Sequence, residues 1–308
     1  MNDLVTAYLE HLKLRNCAPL TIVNLHQRLE ACISYLEELG IADLRDLGHA
    51  HLVEYQRYRK RFINRFGRHD SIAVQNRHLV AVRNLLAWLL KEGYLSHNPA
   101  DGIELLKEPQ RLPRSVLTDA EMKRLLKKPD TKTLRGYRDR AIMEVLYSSG
   151  IRRGELRFLK CDDVDLEEGF LRIELGKGQK DRIVPIGRIA TRYLETYIKG
   201  IRPFLLKGND VPWLFVSTLG RKMGRNSIGW MISRYAQSAG IEKNVTPHTF
   251  RRSCATEMIK NKANLYHVKE ILGHTKLETL NQYCKLALRD LKEAHRKYHP
   301  REKEPDYR

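Results

Sequence analysis

Apolar residues recur at three- and four-residue intervals through most of the chain and at intervals of two in one short stretch. Leu4, Tyr8 and Leu12 predict a first helix over 2–15, which Pro19-Leu20-Thr21 interrupts. Ile22, Leu25, Leu29, Cys32, Leu36 and Leu39 mark a second amphipathic helix, with Gly40 where a left-handed residue would close it. A third helix is expected over about 49–66. There Tyr55, Tyr58, Phe62 and Phe66 interleave with Arg57, Arg59, Lys60, Arg61 and Arg65, and Arg68 follows. A fourth runs from Ser71 to Glu92 on Ile72, Leu79, Val82, Leu85, Leu86 and Leu89, and stops at Gly93. Residues 1–106 therefore read as a small four-helix domain.

Residues 107–116 hold two prolines and little pattern, so they read as an extended linker. Thr118-Asp119-Ala120-Glu121 is a capping box that opens a second domain over 117–290. A helix on Ala141, Ile142, Val145 and Leu146 spans about 137–149 and ends at Gly150. Leu171, Ile173 and Leu175 alternate with Arg172 and Glu174, the period of a half-buried strand, and residues 182–186 supply the return strand. A helix over 188–198, a short apolar stretch at 212–216 and a helix on Ile228, Met231, Ile232 and Tyr235 follow. Thr246-Pro247 begins another helix, and 291–308 is a polar tail. The fold class is mainly α with a small β-sheet: a helical N-terminal domain and an α+β domain.

Charge sharpens this picture. The 308 residues carry 56 Lys and Arg against 37 Asp and Glu, a net charge of +19. Up to Lys107 there are 14 basic and 12 acidic residues; beyond it, 42 and 25. The excess in the second domain calls for a polyanionic partner, nucleic acid first. Membrane-surface binding is disfavoured, since no basic amphipathic segment stands apart from a core pattern. The five cysteines (Cys17, Cys32, Cys161, Cys254, Cys284) are scattered, lack CxxC spacing and read as reduced thiols of a cytoplasmic protein. No signal peptide and no apolar run of membrane length is present.

Candidate chemistry gathers late in the chain. His248 and Arg251 stand three apart, on one face of a helix. Leu272-Gly273-His274 follows, and Tyr283 stands nine residues after His274. Upstream are Gly150-Ile151-Arg152-Arg153-Gly154-Glu155-Leu156 and a turn, Gly176-Lys177-Gly178-Gln179-Lys180-Asp181, between the two strands. Two guanidiniums, two imidazoles and a phenol suit a site that binds a phosphate and attacks it. His248, His267, His274 and Cys284 crowd one region, but their spacing matches no usual zinc pattern, so no metal or other cofactor is expected.

These motifs, in this order, resemble those of the tyrosine site-specific recombinases, the lambda-integrase family, in its compact Xer-like or integron-like form. The resemblance runs from about residue 3 to about 290. It implies a SAM-like core-binding domain over 1–106 and a catalytic domain over 117–290. It implies Tyr283 as nucleophile, Arg152 and Arg251 as clamps on the non-bridging oxygens, and Lys177 as general acid for the leaving 5′-hydroxyl. His274 would donate a hydrogen bond and His248 would accept the phenolic proton. Arg252 stands where many relatives have histidine, and is expected to touch phosphate. Arg57, Lys60, Arg61 and Arg77 on the N-terminal domain, and Lys180 and Arg182 on the hairpin, are expected to bind DNA. Glu155 is expected to orient Arg152.

The expected activity is site-specific recombination of double-stranded DNA through a 3′-phosphotyrosyl link, by a homo-tetramer, with or without a paralogous recombinase. Transesterification keeps the phosphodiester energy, so neither ATP nor metal is required. DNA relaxation of the type IB topoisomerase kind and a non-catalytic DNA-binding regulator are the competing readings. The Xer-like N-terminal domain disfavours the first, and the complete set of site residues the second.

Overall fold

The computed structural model describes residues 1–64, 66–109, 116–174 and 181–273. The chain divides into two units, Met1–Leu112 and Pro113–Arg308.

The first unit is built on α1 (Asn2–Leu14), α2 (Pro19–Glu38), α3 (His49–Arg61) and α4 (Ile72–Lys91). The apolar stripes predicted from spacing supply the core, although Leu39 at the end of α2 and Phe66 beyond α3 are exposed. Leu29 and Leu36 of α2, Leu52 and Tyr55 of α3, and Leu86 and Leu89 of α4 are almost fully withdrawn from solvent. Each such leucine contributes about 2 kcal/mol of transfer free energy. α2 starts with Pro19 in its first turn, where the missing N–H has no intrahelical role.

The third helix ends at Arg61, five residues earlier than its apolar pattern suggests. Asn64 explains the stop. Its side-chain oxygen accepts the Phe66 N–H at 2.9 Å, and Ile63 pairs with His69 in an antiparallel bridge around Gly67, whose φ is +70°. A side chain that satisfies nearby backbone donors competes with the helix for them. Arg59 also departs from the expected basic face. It is buried, with its guanidinium paired to Asp70 and 4.2 Å from the Phe62 ring centroid. His78 joins the pair, 3.3 Å from Arg59 Nη2 and 3.3 Å from the Tyr55 hydroxyl. This cluster ties α3, the segment before α4 and α4 itself together.

The second unit has α5 (Asp119–Leu126), α6 (Leu134–Ser149), α7 (Arg153–Phe158), a sheet of β1 (Val164–Asp165), β2 (Phe170–Ile173) and β3 (Arg182–Pro185), and then α8 (Arg188–Thr196), α9 (Arg202–Leu206), α10 (Ser227–Ser238), α11 (Pro247–Lys260) and α12 (Leu265–Leu272). The capping box read from the sequence opens α5: Glu121 N–H donates to Thr118 Oγ1 at 3.2 Å, and Thr118 N–H to Glu121 Oε2 at 2.7 Å. The sheet is antiparallel in the order β1-β2-β3, and Leu171 faces Val184 across it with both side chains fully buried. β1 lacked a sequence signal, because two residues show no period.

α6 is the axis of this unit. It packs on α11 and α8, and Ala141, Ile142, Met143, Val145 and Leu146 expose nothing. Burial on all sides explains why charged residues of α6 are internal too. Arg138 donates to Asp139 and to the Val216 carbonyl, and the Tyr235 hydroxyl donates to Asp139 at 3.0 Å. The helix expected over 188–198 ends as an α-helix at Thr196, and one π-helical turn (Tyr197–Ile201) leads into α9. No helix among the described residues is long and apolar enough to cross a membrane.

Candidate active site

Three helix ends meet to make the site. α6 stops at Gly150, whose φ of +61° is one that L side chains rarely adopt. α7 begins immediately after, with Arg152 at its N-cap. α12 stops at Gly273, again left-handed at φ +62°. A Cβ on Gly150 would lie 2.7 Å from Leu272 Cδ2, so glycine is needed there for space as well as for backbone conformation.

The last carbonyls of a helix have no intrahelical donor and carry the negative end of its dipole. Here the carbonyls that close α12 receive two arginines. Arg251 Nη2 donates to the Leu272 carbonyl at 2.6 Å, and Arg152 Nη2 to the Gly273 carbonyl at 2.9 Å. Arg251 Nη1 also donates to the Gly150 carbonyl at 2.8 Å. Consecutive acceptors thus seat both guanidiniums on one helix end, whose dipole favours positive charge. Arg251 is buried, whereas 41% of the Arg152 side chain reaches solvent.

Glu155 supplies the countercharge. It accepts from the Arg152 backbone N–H at 2.6 Å and from Arg152 Nη1 at 2.8 Å. Arg182 of β3 grips the same carboxylate with two parallel bonds of 3.0 and 2.9 Å. Burial alone would raise the Glu155 pKa. The Arg182 hydrogen bonds, the Arg152 backbone N–H and the Arg182 charge outweigh it and hold the carboxyl below its usual range.

α11 delivers the remaining side chains. Thr246 caps it, exchanging hydrogen bonds with Thr249, and Pro247 fills its first turn. His248 is exposed on that turn, one turn before Arg251, and Arg252 is half-buried. The face of α11 that holds Arg251 is otherwise core, with Phe250 and Ala255 fully buried.

Most of the sequence-predicted residues fall into three groups. Arg152, Arg251 and Glu155 come together, and His248 sits on the same helix as Arg251. Arg57, Lys60, Arg61 and Arg77 are exposed on α3 and α4 of the first unit. Lys177, Lys180, His274 and Tyr283 lie outside the described residues. Arg182 belongs to none of these. Expected to face DNA, it turns inward to Glu155 with 12% of its side chain exposed.

Two features carried no sequence signal. The acceptors of the arginine pair are main-chain carbonyls, which any residue type provides. Arg28 of α2 lies near enough to Arg77 to feel its charge: burial first, then Arg77, lowers the Arg28 pKa. Its place on a half-apolar face of α2 was the only available hint. Among the described residues no group of three or more His, Cys, Asp or Glu side chains is placed to hold a metal ion. Cys32 and Cys254 are buried free thiols, pushed up to about 12 and about 11 chiefly by burial.

The Phage integrase family model matches residues 115–289, and the Phage integrase, N-terminal SAM-like domain model matches residues 5–93. The chain is 34% identical to tyrosine recombinase XerD of Listeria monocytogenes serotype 4b (strain F2365), over 98% of this chain and 100% of that protein. The crystal structure of XerA recombinase aligns with a TM-score of 0.53 at 27% identity, covering 97% of this chain and 99% of that one. XerH site-specific recombinase bound to difH substrate in a pre-cleavage complex aligns with a TM-score of 0.70 at 22% identity, covering 93% and 82%, a likeness of fold. Two matched domains in the expected order, a full-length relative at this identity and an arginine pair seated on a helix end lead to one assignment: the chain belongs to the phage integrase family and is a tyrosine recombinase.

Proposed function

We propose that this chain recombines double-stranded DNA at a specific site, cutting and rejoining strands through a covalent link to Tyr283. The observation that carries the mechanism is the Arg152–Arg251 pair, held by the two carbonyls that close α12. A scissile phosphate in the act of substitution spreads negative charge over its non-bridging oxygens. Two preorganised guanidiniums match that charge, and removing one such donor typically costs on the order of 10²–10³ in rate.

In this reading the Tyr283 oxygen attacks phosphorus in line. A 3′-phosphotyrosyl bond forms as the bond to the 5′-oxygen breaks. His248 takes the phenolic proton, Lys177 gives one to the leaving 5′-oxygen, and His274 donates to a non-bridging oxygen. The 5′-hydroxyl of a partner strand then reverses the step. Exposed Arg57, Lys60, Arg61 and Arg77 on the first unit would neutralise phosphates, fixing register more than sequence. Strand exchange between two duplexes calls for four active centres, hence a tetramer of this chain, alone or with a paralogous recombinase, acting in the cytoplasm.

The test is covalent capture on nicked duplexes carrying candidate sites from DNA beside the gene. A denaturant-resistant adduct, formed by the unaltered chain and absent in Tyr283→Phe, is expected. Binding without an adduct on any duplex, with a cell extract added to supply any partner, would instead indicate a DNA-binding regulator.

A further inference from the structure

The sheet contributes one residue to the contacts around Arg152. Arg182 occupies the first position of β3, paired in register with Ile173. Its guanidinium makes three separate contacts with the site. Nη1 and Nη2 donate in parallel to the two oxygens of Glu155. Glu155 in turn receives the backbone N–H and Nη1 of Arg152. The Arg182 side chain approaches Gly273 so closely that a Cβ there would fall 2.8 Å from Nε and 2.9 Å from Cζ. The Gly273 carbonyl is the second acceptor of Arg152. The contacts therefore close a ring: Arg182 to Glu155, Glu155 to Arg152, Arg152 to Gly273, Gly273 back to Arg182.

Burial shows what this arginine is for. Only 12% of its side chain and 8% of that of Glu155 meet solvent, against 41% for Arg152. Among the described residues Arg182 Nε is buried without a hydrogen-bond partner. A buried donor left unpaired is unfavourable, because it has lost its water without gaining a partner. The site accepts that cost and keeps the planar fork, which lysine cannot reproduce on a carboxylate.

Resting on the functional reading above, we propose that Arg182 is a positioning residue for strand cleavage rather than a DNA contact. It fixes the Glu155 carboxylate and the C-terminal turn of α12, and those two fix both ends of the Arg152 guanidinium. The sheet, α7 and α12 then move as one piece around the phosphate. Without the fork, Glu155 can rotate, and Arg152 loses the geometry that matches the transition state while its charge remains.

The experiment compares Arg182→Gln, Arg182→Lys, Glu155→Gln and the double variant Arg182→Gln/Glu155→Gln in the full chain. The probe is a nicked duplex on which the unaltered chain forms its tyrosine adduct. Two quantities are read: the adduct rate at saturating duplex, and the salt dependence of the duplex Kd. Arg182→Gln is expected to slow the adduct on the order of 10²-fold, the scale of a misplaced catalytic group. Its Kd should stay within about twofold and its salt slope should not change. Arg182→Lys should recover part of the rate. The double variant should be no slower than the slower single variant, because the two residues act through one contact.

A salt slope reduced by about one, with the saturated rate intact, would make Arg182 a phosphate contact and overturn the proposal. Additive losses in the double variant would overturn it too. If Arg182→Gln does not fold, Arg182→Lys decides: a lower saturated rate at unchanged Kd supports the proposal, and an unchanged rate overturns it. If the unaltered chain forms no adduct on any duplex, the functional reading itself has failed, and this one with it.

Discussion

Arg251 Nη1 donates to the carbonyl oxygen of Gly150 at 2.8 Å, joining residues 101 positions apart in the chain. The same guanidinium reaches the Leu272 carbonyl at 2.6 Å, so one side chain bridges the ends of α6 and α12. Arg251→Lys keeps the charge but cannot bridge two acceptors in one plane. The expected result is an adduct rate lower by roughly 10²–10³ at saturating duplex, together with a reduced melting temperature. Single-turnover trapping and calorimetry check the two halves.

Gly150→Ala tests the crowded helix junction. The new methyl would meet Leu272 Cδ2 at 2.7 Å, and φ is +61°. The left-handed backbone costs about 1–2 kcal/mol and the overpacking about 1–3 kcal/mol. Gly154→Ala is the control, because a Cβ there meets nothing within 4 Å and the residue lies in a helix. Denaturant titration should show a loss of about 2–5 kcal/mol for the first and no loss for the second.

Breaking the buried pair of the first unit should be costly. The Arg59 and Asp70 side chains are 5% and 9% exposed. Asp70→Ala leaves the Arg59 charge uncompensated, an expected loss of about 3–5 kcal/mol. Replacing both partners with apolar residues, Arg59→Met with Asp70→Leu, should recover most of it. Hydrogen exchange in α3 and α4 is the measurement, since both helices anchor to this pair.

His78 predicts a pH dependence for the same unit. Burial first, then the charges of Arg59 and Arg28, push its pKa down to about 4 against the opposing pull of Asp70. The unfolded chain, with an imidazole near 6.5, therefore binds more protons between pH 6.5 and 4. Stability must fall as pH drops through that window and level off below it, by about 1 kcal/mol once solvent screening of a half-buried ring is allowed for. His78→Gln should flatten this part of the pH–stability curve, which urea midpoints at pH 7, 5.5 and 4.5 would measure.

Where a residue's role depends on its own side chain and spacing, the sequence was a good guide. The stripes of α2 and α4, the capping box at Thr118 and the alternation at 170–173 each require particular residue types at particular intervals, and each element is there. Arg152, Arg251 and Glu155 stand in motifs the sequence singles out, and the structure brings them to one place. The roles of Arg59 and Arg182 were not legible. A charged residue in a basic run looks solvated until a carboxylate distant in the sequence, Asp70 or Glu155, is seen to meet it. The end of α3 was misplaced because the aromatic period continued past Asn64, whose side chain takes over the backbone donors. Lys177, Lys180, His274 and Tyr283 lie outside the described residues.

The seating of Arg152 and Arg251 on main-chain oxygens has a consequence for how this protein can change over generations. A carbonyl cannot be replaced by mutation, so no substitution that preserves the ends of α6 and α12 removes the acceptors at Gly150, Leu272 and Gly273. Side chains that touch neither the arginine pair nor Glu155 and Arg182 can change without removing those acceptors. Gly150 and Gly273 join the arginines as sensitive positions, because a side chain at a left-handed φ is strained whatever the space. Directed evolution of such an enzyme should therefore tolerate broad libraries in surface helices away from the site, provided the arginines, Gly150 and Gly273 are held fixed.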